Sequence, residues 1–216
     1  MIRPAKLITE LTGTFIFLTV IALSGSAGPL APLAIGAALM VMVYMGGHIS
    51  GAHYNPAVSF AMFLRRKLDA TEMVAYWGAQ LLGAVLAFGV GYLVSGQTPG
   101  IHPGAKFHVF QALGLEILFT AVLVLVIINV AATKATQGNS FYGLAIGFTI
   151  VAAAFVGGPI SGGAFNPAVG FGATLGSAMF GGGGWSDLWI YLVGPFIGGA
   201  IGAGINHLQV SSAEAR

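Results

Sequence analysis

Long apolar stretches alternate with short polar or glycine-rich breaks along the whole chain. A helix needs about 20 apolar residues to cross the hydrocarbon core of a bilayer. Six stretches meet that length or approach it: about 6–25, 30–47, 71–95, 109–132, 141–156 and 186–208. The fifth is short, which predicts a helix that runs directly into a re-entrant loop. A Gly-Pro turn at 24–29, a loop at 96–107, a polar link at 133–140 and a glycine run at 181–184 separate them. Two further apolar runs, 57–64 and 168–180, have helical length but are too short to span.

Each short run follows the same phrase. The first copy is Gly46-Gly-His-Ile-Ser-Gly-Ala-His-Tyr-Asn-Pro-Ala-Val-Ser-Phe60, and the second is Gly157-Gly-Pro-Ile-Ser-Gly-Gly-Ala-Phe-Asn-Pro-Ala-Val-Gly-Phe171. Ten of the fifteen positions are identical at a constant offset of 111, which reads as an internal duplication. Gly and Ser in the lead-in predict irregular backbone that can lie close to whatever passes it. Asn55 and Asn166 then stand at helix N-caps, with Pro56 and Pro167 at the first helical position and Ala57 and Ala168 behind them. The runs read as half-helices whose positive N-terminal ends stop inside the membrane. Three spans per half invert the second half relative to the first, so the half-helices enter from opposite faces and meet near the midplane.

The repeat predicts one membrane domain over 1–216, with halves of about 1–105 and 106–216. Ala79, Gly83, Ala87 and Gly91 fall on one face of the third span, and Gly194, Gly198 and Gly202 repeat that stripe in the sixth. Small residues at this spacing let backbones approach closely in lipid, and they are read as the seam where the halves cross. Glu10 and Glu116 lie deep in the first and fourth spans. A bare carboxylate is expensive there, so each must face protein and find donors.

Composition agrees: 56% of residues are hydrophobic and 6% charged, against about a quarter charged in a soluble domain. There is no Cys, so disulfide and thiolate chemistry are excluded. The pI near 9.0 does not signal nucleic acid, because eight scattered Lys and Arg make no basic patch. They report topology instead. With the N-terminus inside, Arg3, Lys6, Arg65, Arg66, Lys67, Lys134 and Arg216 are cytoplasmic and only Lys106 is outside. The basic tip and apolar run at the start do not read as a signal peptide, because Glu10 interrupts the run. No phosphate loop, metal-ligand spacing or nucleophile–base pair is visible, so no cofactor, metal or enzymatic activity is expected.

Twin Asn-Pro-Ala motifs at this spacing resemble the signature of the aquaporin, or major intrinsic protein, family. The resemblance covers nearly the whole chain. It implies an all-α membrane protein: a right-handed bundle of six tilted helices plus two re-entrant half-helices in an inverted repeat. It implies a homotetramer in the lipid bilayer, with one pore per subunit and water or small neutral solutes as the only partners. A cell-membrane location with cytoplasmic termini is expected. It further implies that Glu10 and Glu116 hold the re-entrant loops through backbone N–H groups. His53 matches a position that braces the first loop and lines the pore, whereas His48 reads as a loop-bracing residue. Asn55 and Asn166 would donate to a passing oxygen, and the two dipoles would repel cations and block proton transfer.

The second constriction departs from the family. Most members place Arg directly after the second Asn-Pro-Ala; here that residue is Val169. Family offsets place the rest of the filter on Ile35, Ala154 and Gly163, with His102 a further candidate. This set is small and uncharged, so it predicts a wide opening for ammonia, urea, glycerol or peroxide as well as water. It resembles the filter of some plant tonoplast members. Two alternatives stand beside it: a non-conducting structural protein on the same fold, and a leaky ion-permeable channel.

Overall fold

The computed structural model describes residues 2–214; Arg216, counted above among the cytoplasmic cations, lies outside them. Pro4 opens helix α1 (Pro4–Leu23) at a position where a missing N–H is harmless. The apolar character then continues unbroken to Ser50. Gly28, at φ 53° and ψ −128°, bends the chain within the short 3-10 link Ser24–Leu30 and separates α1 from α2 (Ala31–Ser50). Next come the half-helix α3 (Pro56–Leu64), the long α4 (Ala70–Ser95) and α5 (Val109–Ile127). After α5 a π-turn runs Ile128–Ala132. Then follow α6 (Tyr142–Ser161), the half-helix α7 (Pro167–Gly176) and α8 (Leu188–Glu214). Among the described residues there are therefore six spanning helices, two half-helices and no strand.

Two expectations about the loops need correcting. The fifth span is not short, because α6 has 20 residues and reaches Ser161. Nor is the Gly-Gly lead-in irregular: Gly46 to Ser50 and Gly157 to Ser161 are helical. These glycines serve close approach. A Cβ on Gly46 would overlap the Tyr54 hydroxyl, and one on Gly157 would come within 2.8 Å of the Phe165 ring. Irregular backbone begins one residue later, at Gly51 (φ 90°) and Gly162 (φ 92°), which end the helices in the left-handed conformation that glycine accepts.

The small-residue stripes also bind different partners from those expected. A Cβ on Gly83 would meet the Leu11 carbonyl at 2.8 Å, and one on Gly91 the Ala22 side chain at 2.6 Å. Both contacts are on α1. Gly194 likewise meets Glu116, and Gly202 the Ala121 carbonyl, both on α5. The stripes thus close α4 onto α1 and α8 onto α5, inside each half. The halves join elsewhere, along α2–α6, α3–α8 and α4–α7. At the first of these seams Gly36 and Gly147 face one another, each against the other's carbonyl. They too are 111 apart.

The outer surface is apolar, with Leu93, Phe110 and Val74 all well exposed. The buried centre is where polar groups gather: Glu10, Glu116, Gln80, Asn55 and Asn166. That inversion is what a hydrocarbon solvent demands, since polar groups there must be satisfied internally.

Candidate functional site

The site is built from the two short loops after α2 and α6. Their backbone is strained at three side-chain-bearing residues: φ is +52° at Ala52, +50° at Tyr54 and +49° at Phe165. Side-chain-bearing residues reach such angles only when their surroundings hold them there. Two carboxylates supply that hold. Glu10 accepts from the N–H groups of His53 (2.9 Å) and Tyr54 (2.8 Å), from the Ser50 hydroxyl (2.6 Å) and from Gln80 Nε2 (2.9 Å). Glu116 accepts from the N–H groups of Ala164 (3.0 Å) and Phe165 (2.6 Å) and from the Ser161 hydroxyl (2.8 Å). Both are fully buried.

Each loop then delivers an Asn. Asn55 Oδ1 accepts from Ala57 N–H and Asn166 Oδ1 from Ala168 N–H, both at 2.9 Å, which caps the half-helices with Pro56 and Pro167 at their first positions. The amide nitrogens cross over. Asn55 Nδ2 donates to the Phe165 carbonyl and Asn166 Nδ2 to the Tyr54 carbonyl, again at 2.9 Å. The half-helices therefore meet N-terminus to N-terminus. An Asn amide has two N–H groups, so each keeps one beyond this bond.

Both asparagines line a cavity of about 220 Å³, and Ile35, Ala154, Gly163 and Val169 line it with them. A second cavity of about 620 Å³ opens towards Lys6 and Lys67. The two share Val43, Ala52, His53, Ile127 and Ile146 as walls, so His53 stands at their junction. The site thus brings together two half-helix N-termini, two amide donors and mostly apolar walls.

The family model described as major intrinsic protein matches residues 5–206. The chain belongs to that family. Among relatives, aquaporin NIP1-1 of Oryza sativa subsp. japonica is 43% identical over 172 residues, covering 78% of this chain and 58% of the rice protein. This chain thus spans little more than half the length of that relative. The glycerol uptake facilitator protein-like 6 of Lactiplantibacillus plantarum is 36% identical and covers 92% of this chain and 94% of its own. Among solved structures, the aquaglyceroporin from Plasmodium falciparum shares the fold, with a TM-score of 0.78 at 22% identity over 93% of each chain.

His102 is not among the residues that line the cavity. Its ring Nδ1 is 3.0 Å from Asp187 Oδ2, and the side chain is half exposed. Ile101 lines the cavity instead and leans on Gly162. The loop is tied down by Gly104 N–H on the Ile160 carbonyl at 3.0 Å.

His53 is tied on its outer side. Its Nδ1 lies 3.0 Å from Ser59 Oγ, which also accepts from Gln80 Nε2, and the ring meets Tyr76 edge-on. The bracing roles of Ser59, Gln80, Tyr76 and Tyr191 are not legible in the sequence. Tyr76 donates to the Ser50 carbonyl at 2.7 Å, and Tyr191 to the Ser161 carbonyl at 2.6 Å. Their offset is 115 and not 111, so the same brace arises from non-equivalent positions, and repeat alignment alone hides it. Ser50 and Ser161, identical in the two phrases, were the available signal.

Proposed function

We propose that this chain forms a passive membrane channel for water and small neutral solutes, with ammonia, urea, glycerol and peroxide as candidates. One observation carries the reading: the two Asn amides, each with a spare N–H, face one apolar cavity together with Ile35, Ala154, Gly163 and Val169. A solute oxygen held by both donors is polarised the wrong way to pass a proton along a file. The half-helix N-termini raise the energy of a cation at the same place. Glu10, Glu116 and His53 serve as loop supports, and the four small side chains as the selectivity filter. With Val169 where an Arg would narrow and charge the opening, the filter admits more than water. The names of the relatives, a plant aquaporin and a glycerol facilitator-like protein, support the same range.

The channel sits in the cell membrane with both termini in the cytoplasm, as the bias of Lys and Arg supports. It assembles as a homotetramer, with a pore in each subunit.

The test is stopped-flow light scattering on vesicles holding wild type or Val169→Arg, under sucrose, urea and glycerol gradients. Wild type should pass water and at least one larger solute, and Val169→Arg should suppress the larger one. Passage of water alone by wild type would sink the wide-filter reading. Passage of nothing would favour a structural role.

A further inference from the structure

Where α3 ends beside α8, a recess of about 520 Å³ opens at the protein surface. Its rim carries Arg65, Arg66 and His207, and its wall is made of Ala200, Ala203 and Gly204 of α8. One end is cationic and the other is small and apolar.

The Arg65 guanidinium is fixed by neutral groups alone. Its Nε donates to Asn206 Oδ1 at 3.0 Å, and a terminal nitrogen lies 3.0 Å from His207 Nδ1. Arg can only donate, so that His nitrogen accepts. Asn206 is 1% exposed and is itself held by Asn129. Among the residues whose side chains are described, no carboxylate pairs with Arg65 or Arg66, and Glu72 is taken by Lys6. Among the described side chains the charge of Arg65 is therefore oriented by neutral partners alone, and these two bonds use two of its five N–H groups.

Arg66 adds an independent sign. It ends α3 at φ +54°, in the turn where Lys67 N–H reaches the Met62 carbonyl and Arg66 N–H the Phe63 carbonyl. Glycine usually fills this position because a side chain is strained there. A topology anchor needs basic residues but neither a neutral cradle nor a strained backbone. Strain kept in place points to use.

We propose that this recess binds the phosphate of an anionic phospholipid. The Arg65 fork and Arg66 take the headgroup oxygens, and the first acyl carbons lie along Ala200, Ala203 and Gly204. A planar guanidinium suits phosphate through paired hydrogen bonds. The apolar wall directly beside it selects a lipid phosphate over a free one.

The full chain in neutral detergent is titrated with phosphatidylglycerol, phosphatidylcholine or inorganic phosphate, and thermal unfolding is followed. Phosphatidylglycerol should raise the midpoint saturably, and the other two should not. Arg65→Gln and Arg66→Gly should each weaken the apparent affinity about five-fold. Lys134→Gln, a basic residue elsewhere on the same side, should leave it unchanged. Arg66→Gly removes the charge from a turn that favours glycine, so it stands even if Arg65→Gln fails to fold. An equal shift with phosphatidylcholine, or unchanged affinity in Arg66→Gly, overturns the site. An equal shift with inorganic phosphate overturns the lipid assignment.

Discussion

Asn55 of one half-helix donates to the main-chain carbonyl of Phe165 in the other half, across 2.9 Å. With its mirror bond from Asn166 to Tyr54, it makes each of the two loops a structural part of both halves. Asn55→Ala removes a helix cap, worth about 1 kcal/mol. It also leaves a buried carbonyl unpartnered, at about 1–3 kcal/mol more. Thermal unfolding in detergent should fall accordingly. Asn55→Asp restores the cap acceptor but not the donor, so it should recover only the smaller share. An Asp variant as stable as wild type would show that the crossing bond holds nothing.

Glu116→Gln exchanges one oxygen for an amide that cannot accept. One of the hydrogen bonds from Ser161, Ala164 or Phe165 is then lost, next to backbone already in the left-handed region. A loss of about 1.5–3 kcal/mol is expected, the range for bonds to a charged acceptor. Solute permeability should fall with it, because the loop carries Gly163 and Asn166. Unchanged unfolding and flux would remove Glu116 from the list of loop supports.

Glycines divide into two classes that substitution should separate. At Gly36 a Cβ would press on the Gly147 carbonyl and the Val151 side chain. Gly36→Ala should therefore push α2 and α6 apart and lower the unfolding midpoint sharply. Gly78, in the middle of α4, has nothing within 4 Å of the added atom. Gly78→Ala should be neutral or stabilising by up to about 1 kcal/mol, since glycine is the weaker helix former. Equal effects at both sites would refute the assignment of Gly36 to the seam between halves.

Ile101 lines the cavity, whereas His102 is not among its lining residues. Ile101→Ala should raise urea or glycerol flux. His102→Ala should leave the ranking of solutes unchanged, since its exposed pairing with Asp187 contributes little. Vesicle swelling with the two variants side by side distinguishes them. A changed ranking in His102→Ala alone would return that residue to the filter.

Much of this architecture was legible in the chain. Apolar length gave the spans, and Asn-Pro gave the half-helices, because caps and proline act through local geometry that sequence states directly. What remained hidden was partnership. The spacing of Gly83 and Gly91 announces that another backbone comes close, yet a one-dimensional period cannot say whether that is α1 or the opposite half. Gly46-Gly47 looked like a break because glycine weakens helices in water. In the bilayer the helix continues through it, and the missing side chains make room for Tyr54. The exchange of Tyr76 for Tyr191 breaks the repeat register, so alignment of the halves conceals it. The loop after α4 is held by long-range ties, Gly104 to Ile160 and His102 to Asp187, which no local pattern encodes.

The crossed asparagine bonds also set an order of events. A ribosome finishes α3 long before it makes Phe165, so the first loop waits in the membrane with the Asn55 amide and the Tyr54 carbonyl unanswered. Only the arrival of the second half settles both. Each half supplies the last hydrogen-bond partners of the other's loop.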